Sequence, residues 1–271
     1  MIKSLLLVPT VELDVAAGPK VAIALARRFG GAVDDLYIDV ASQTETAMAL
    51  GGEGGIGWYV ADLQEREDAW RASVMQLVAQ ERSAAGVPGR SLQPHVPEAT
   101  ANIIFGGAHD LIVIDVPTAG GVVGALEGLR NALFESTRPV LVVPPGAAAP
   151  ERHALIVLGE TVPAVRALHA SLPLIEGFAK ITVLANCGDE WRDAALELLR
   201  RHGHAPEIVQ PGLWSSSRDR GRMVLRTAGD VGADLIVMGA YAAGRLARLV
   251  GMGGATEKVV TGTKVPVLLM H

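Results

Sequence analysis

The chain has 271 residues and a formal net charge of −5, long enough for two ordinary cores and without the basic surface that nucleic acid or an anionic membrane would demand. Hydrophobic residues make up 49%, aromatics only 4%, and there are 31 glycines, a balance that suits Val/Leu/Ile strands and Ala-rich helices better than a β-sandwich. No apolar run approaches the roughly 20 residues of a membrane helix, the N-terminus lacks a signal-peptide core, and the one cysteine, Cys187, has no internal disulfide partner; a cytoplasmic protein is expected.

In chain order, apolar runs alternate with helical periodicity. Strands are expected at Ile2–Val8, Ala32–Val40, Ser91–His95, Leu111–Val116 and Val140–Val143, with helices at Ala16–Phe29, Val60–Ala85, Ala99–Ala108 and Gly124–Glu135. An irregular insert, Ala41–Gly57, carries five glycines between Gly51 and Gly57 and reads as a surface loop, or else as a lid over a pocket. Prolines 144, 145 and 150 mark a linker, because each ends regular pairing and favours extended chain. A second series follows. Its strands are expected at Ala154–Leu158, Lys180–Ala185, Glu207–Gln210, Leu235–Met238 and Val267–Met270, its helices at Pro163–Glu176, Glu190–His202, Arg218–Val231 and Gly254–Thr261.

The two series are diverged copies. Asp110-Leu-Ile-Val-Ile-Asp115 matches Asp234-Leu-Ile-Val-Met-Gly239 at an offset of 124, and Arg138-Pro-Val-Leu-Val-Val143 matches Val265-Pro-Val-Leu-Leu-Met270 at an offset of 127. A near-constant offset over two separate elements is the mark of duplication. The fold class is therefore α/β: two tandem five-stranded parallel sheets with right-handed crossovers, residues 1–146 and 152–271.

Asp234-Leu-Ile-Val-Met-Gly-Ala-Tyr241, Gly253-Gly-Ala-Thr256 and Lys264-Val-Pro-Val-Leu-Leu-Met270 resemble the universal stress protein family, with the weaker match in the first half. The resemblance implies a Rossmann-like fold of the adenine nucleotide α-hydrolase type. It also implies pairing through the last strands, within one chain as a pseudo-dimer; a further homodimer stays open. Pro139 and Pro266, at the heads of those strands, suit edge positions.

Family members that bind ATP hold its phosphates in a loop Gly-x2-Gly-x9-Gly-Ser/Thr. Backbone N–H groups and a helix N-terminus meet the anion there. Mapped residue by residue, the resemblance implies a nucleotide site at Gly239, Ala240, Ala242, Gly244, Arg245, Gly253, Gly254, Ala255 and Thr256. The match departs from the pattern at Ala242 in place of the second glycine, at a spacing one residue longer before Gly253, and at Gly254 in place of Ser or Thr. The family's nucleoside-facing Asp is also missing: Gly159 stands there in the second half and Val11 in the first. After its fourth strand the first half has Asp115-Val-Pro-Thr-Ala119, whose carboxylate repels phosphate and whose proline removes a donor. The implied function is a stress-response protein holding ATP with Mg²⁺, or another adenine nucleotide, in its second half. The alternative is a family member acting through protein partners or a different small ligand.

Catalytic signatures are thin: no Gly-x-Ser-x-Gly elbow and no phosphate loop of the P-loop type, so at most slow nucleotide hydrolysis is expected. His202 and His204 fall at a helix end and read as capping residues before metal ligands. Ser215, Ser216 and Ser217 read as helix N-cap candidates, Cys187 as a small buried residue, and Trp58 and Trp70 as packing against the sheet.

Overall fold

The computed structural model describes residues 1–9, 17–37, 57–116, 122–211, 216–241 and 254–271. In the first half, strands β1 (Ser4–Val8), β2 (Ala32–Leu36), β3 (Ser91–Leu92), β4 (Leu111–Asp115) and β5 (Val140–Val143) alternate with helices α1 (Gly18–Phe29), α2 (Gly57–Ala85), α3 (Glu98–Ala101) and α4 (Val122–Glu135). The second half has β6 (His153–Gly159), β7 (Lys180–Asn186), β8 (Glu207–Val209), β9 (Leu235–Gly239) and β10 (Val267–Met270), with α5 (Val162–Ile175), α6 (Asp189–Arg201), α7 (Ser217–Val231) and α8 (Ala255–Gly262). The insert before Gly57 and the end of the expected second strand lie outside the described residues. Strand β3 stops at Leu92 rather than His95, since Pro94 has no N–H to give the ladder. The helix expected to run to Ala108 instead leaves α3 as a π-helical turn, Asn102–Gly106.

Local chemistry sets the helix ends. Helix α1 has Pro19 in its first turn and closes on Gly30 in the left-handed conformation, φ 58°, where a side chain would strain the backbone. The Thr161 and Ser216 side chains accept from Ala164 N–H and Asp219 N–H at the starts of α5 and α7. At the end of α6, His204 N–H returns to the Leu199 carbonyl at 3.0 Å, the capping role read from the sequence.

The strands form one sheet of ten, in the order β3-β2-β1-β4-β5-β10-β9-β6-β7-β8. Pairing within each half is parallel; the halves meet where β10 runs antiparallel to β5, Leu268 opposite Leu141. Pairing through the last strands was expected, and β5 and β10 are the edge strands of their own halves, as Pro139 and Pro266 suggested. Once paired, β5 and β10 are the middle of the sheet of ten, and each proline sits one residue before its strand, giving only its carbonyl, to Ile112 N–H and Ile236 N–H, both at 3.0 Å. A proline that precedes the ladder withholds no donor from it.

Alternate side chains of each strand enter opposite layers. Leu5, Leu7, Val113, Leu141, Ile156, Val237 and Leu268 share one apolar cluster, whereas Leu6, Ile112, Ile114, Val142, Leu155, Ile236 and Leu269 share the other. Both layers run unbroken across the seam between halves. Trp70 packs at the margin of the first; the Trp58 side chain lies outside what the structure describes. Among the described residues no helix is long and apolar enough to cross a membrane.

Candidate functional site

In each half the chain winds outward from a middle strand and then returns to its other side, so β1 lies between β2 and β4, and β6 between β7 and β9. Such reversals open a crevice at the carboxyl ends of the strands. In the second half a cavity of about 430 Å³ lies there, a size within the range of small-molecule sites. Its floor comes from the ends of β6, β7 and β9, through Val157, Leu158, Gly159, Leu184, Met238 and Gly239.

The polar wall is one-sided in charge. Arg130, Arg220, Asn186, Ser217, Thr161 and Thr256 line the cavity, and no carboxylate does among the described residues. Three helices begin at its edge, and two of them satisfy their first N–H groups internally. Thr161 Oγ1 accepts from Ala164 N–H at 3.3 Å and Ser216 Oγ from Asp219 N–H at 3.2 Å. The third, α8, starts at Gly254 with no side-chain cap among the described residues, and Gly254, Ala255 and Thr256 all face the cavity. Uncapped N–H groups at the positive end of a helix dipole favour an anion.

Gly239 is needed where β9 passes the start of α5. A β-carbon there would stand 2.5 Å from the Ala164 nitrogen and 2.6 Å from the Pro163 carbonyl carbon. Gly159 differs: nothing lies closer than 4.0 Å to its would-be β-carbon. The neighbouring carboxylate does not replace the missing Asp, because Glu160 Oε1 turns to accept from Gly188 N–H at 2.6 Å.

Of the residues expected from the sequence, the structure brings Gly239, Gly254, Ala255 and Thr256 together on this cavity. Ala240 is fully buried and is not among the lining residues; its N–H goes to the Met270 carbonyl at 2.8 Å. Ala242, Gly244, Arg245 and Gly253 lie outside the described residues. Sequence reasoning missed Arg130, Arg220, Asn186 and Tyr241. Tyr241 directly follows the glycine motif and holds φ at 51°, rare for a non-glycine residue.

The matching position in the first half holds a different group. Asp115, the counterpart of Gly239, is buried, and its Oδ1 accepts from Gly18 N–H at the start of α1, at 2.6 Å. Burial raises its pKa to about 6, against the pull of hydrogen bonds from the Gly18 and Ala17 N–H groups. The protein's own carboxylate thus occupies this helix N-terminus.

An open α/β sheet with a crevice at a strand reversal defines a doubly wound, Rossmann-like class. Residues 152–271 match the model of the universal stress protein family. Over the whole chain the structure is similar to that of a universal stress protein from Archaeoglobus fulgidus DSM 4304, 18% identical, covering 98% of this chain and 95% of that one with a TM-score of 0.66. It is also similar to a functionally unknown protein from Pseudomonas aeruginosa PAO1, 15% identical, with 99% and 92% covered and a TM-score of 0.60. At such identities the likeness speaks for the fold. No curated protein matches the chain.

Proposed function

We propose that the chain is a tandem universal stress protein of the cytosol whose units are residues 1–146 and 152–271, and whose second unit binds an adenine nucleotide, ATP with Mg²⁺ foremost. One observation carries the reading: the uncapped start of α8 faces a cavity lined by two arginines and, among the described residues, by no carboxylate. A phosphate chain fits that charge pattern, and the apolar floor of Val157, Leu158, Leu184 and Met238 offers a surface to a base. The lining residues hold no carboxylate for a cation, so Mg²⁺ would enter on the nucleotide's own phosphates. In the first unit Asp115 fills the post of Gly239, which argues against a second nucleotide.

A second reading rests on Gly159. With no carboxylate there and Glu160 turned to Gly188, no carboxylate among the described residues selects a ribose by its hydroxyls, so a smaller anion would use the same α8 terminus. Calorimetric titration and thermal unfolding with ATP, ADP and inorganic phosphate, with and without Mg²⁺, separate the two. A ligand at 100 times its Kd stabilises by about 2.7 kcal/mol. Neither heat nor stabilisation at millimolar ATP would sink nucleotide binding, and a response to phosphate equal to that to ATP would favour the second reading.

A further inference from the structure

The cavity of the second half is not built from the second half alone. We propose that Arg130, from helix α4 of the first half, is the cation that pairs with the ligand's phosphates, so that the ligand is held between the two halves; this rests on the cavity being a nucleotide site and names its charge partner.

Strand direction explains how Arg130 arrives. Because β5 and β10 run antiparallel, the amino end of β5 lies beside the carboxyl end of β10. Helix α4 leads into β5, so its last turns lie at the carboxyl ends of the second half's strands. Phe134 meets His271 edge to face there, ring centroids 4.3 Å apart, and meets Tyr241 at 5.6 Å. One turn back, Arg130 lies over the Tyr241 ring with its guanidinium carbon 6.0 Å from the centroid. It shares the cavity wall with Gly254 and Thr256.

Arg130 is half-buried and has no carboxylate partner among the described residues, whereas Arg220 is exposed on α7. A half-buried guanidinium held against a ring, with no counter-ion among the described residues, is the stronger anchor for phosphate. Tyr241 adds an independent sign. Its hydroxyl is buried without a hydrogen-bond partner among the described residues, a costly state that an acceptor on a ligand would relieve.

The test uses the full chain and ATP as the probe, with wild type, R130A, R130Q, R130K and the distant surface variant K20A titrated at several salt concentrations. Arg130 pairing predicts a loss of roughly 10-fold or more in ATP affinity in R130A and R130Q, with partial recovery in R130K. It also predicts a flatter dependence of affinity on salt, since one screened charge contact is gone. Lys20 is exposed on α1, and K20A should bind like wild type. ATP binding unchanged in both R130A and R130Q overturns the inference and leaves the nucleotide reading standing. So does weaker binding with an unaltered salt dependence, which would mark Arg130 as a mere support for Tyr241. An equal loss in K20A overturns it as well, as an effect of bulk charge. Wild type that binds no ATP at all overturns both readings.

Discussion

Asp110 and Asp234 perform the same task in the two halves of the chain. The Asp110 Oδ2 accepts from the backbone N–H groups of Lys3 at 2.7 Å and Ser4 at 3.0 Å. Asp234 accepts from those of Arg152 at 3.0 Å and His153 at 2.8 Å. Each carboxylate ties the head of its half's first strand to the residue before its fourth. Loss of either by substitution to Ala should lower unfolding free energy by about 2 kcal/mol, the range of hydrogen bonds to a charged group, as read by denaturant titration. Burial alone would raise the Asp110 pKa, but the bonds from Lys3 and Ser4 outweigh it and hold the group below its usual value. Its contribution is present above the unfolded carboxylate pKa and lost as pH falls through the lowered folded one. D110A should therefore differ from wild type at neutral pH and converge with it in strong acid.

Asp115 has the opposite sign. Its pKa of about 6 lies above the unfolded value of 3.8, so the folded state binds the proton more tightly. Stability from this group is fully present below the unfolded pKa and is lost as pH rises toward and through the folded one. The shift corresponds to about 3 kcal/mol. The stability of D115N relative to wild type should rise by up to that amount between about pH 4 and pH 7. A flat difference across that interval would show that the carboxylate is not held in this way.

Two glycines of the second half should answer substitution oppositely. At Gly239 a methyl group meets backbone atoms at 2.5 and 2.6 Å, so Gly239→Ala must displace the start of α5, at about 2 kcal/mol or more. At Gly159 the space is open and the residue lies in a strand, so Gly159→Ala should be neutral or stabilise by about 0.5 kcal/mol, through a less flexible unfolded chain. Thermal unfolding of both variants decides this.

Arg28 bridges the halves on the other side of the sheet. It donates to the Pro150 carbonyl at 3.3 Å and to that of Glu176, and its guanidinium lies 5.2 Å from the Phe178 ring centroid. It is exposed, which weakens each contact. R28A should cost about 1 kcal/mol or less and mainly increase proteolytic cleavage at the 144–151 linker, measured by limited digestion.

Much of this fold was legible in the sequence because it rests on local patterns. The runs Leu111–Asp115 and Leu235–Gly239 are strands buried on both faces, and continuous apolar sequence has little other use at that length. The duplication predicted that the last strands would pair. Pro139 and Pro266 marked the edge of each half's sheet, and the pairing of those two edges makes them the centre of a sheet of ten. The cavity was half legible. Gly239 and Gly254–Thr256 lie on a recognisable motif, whereas Arg130 belongs to the other copy and no spacing within the second half points to it. Asp115 is the instructive case: its charge was read as hostile to phosphate, but its bond to Gly18 depends on a close approach that only the packed structure shows.

The antiparallel junction of β5 and β10 has one more consequence. Two separate identical subunits meeting in this way would form an isologous contact, in which every substitution appears twice and must be tolerated in both places. Joining the copies in one polypeptide removes that constraint. Asp115 and Gly239 stand at matching posts with opposite chemistry, one filling a helix terminus and the other clearing space beside one, and neither change is forced on the other copy. Fusion lets a residue of one copy, Arg130, serve in the wall of its neighbour's cavity with no matching change in the other.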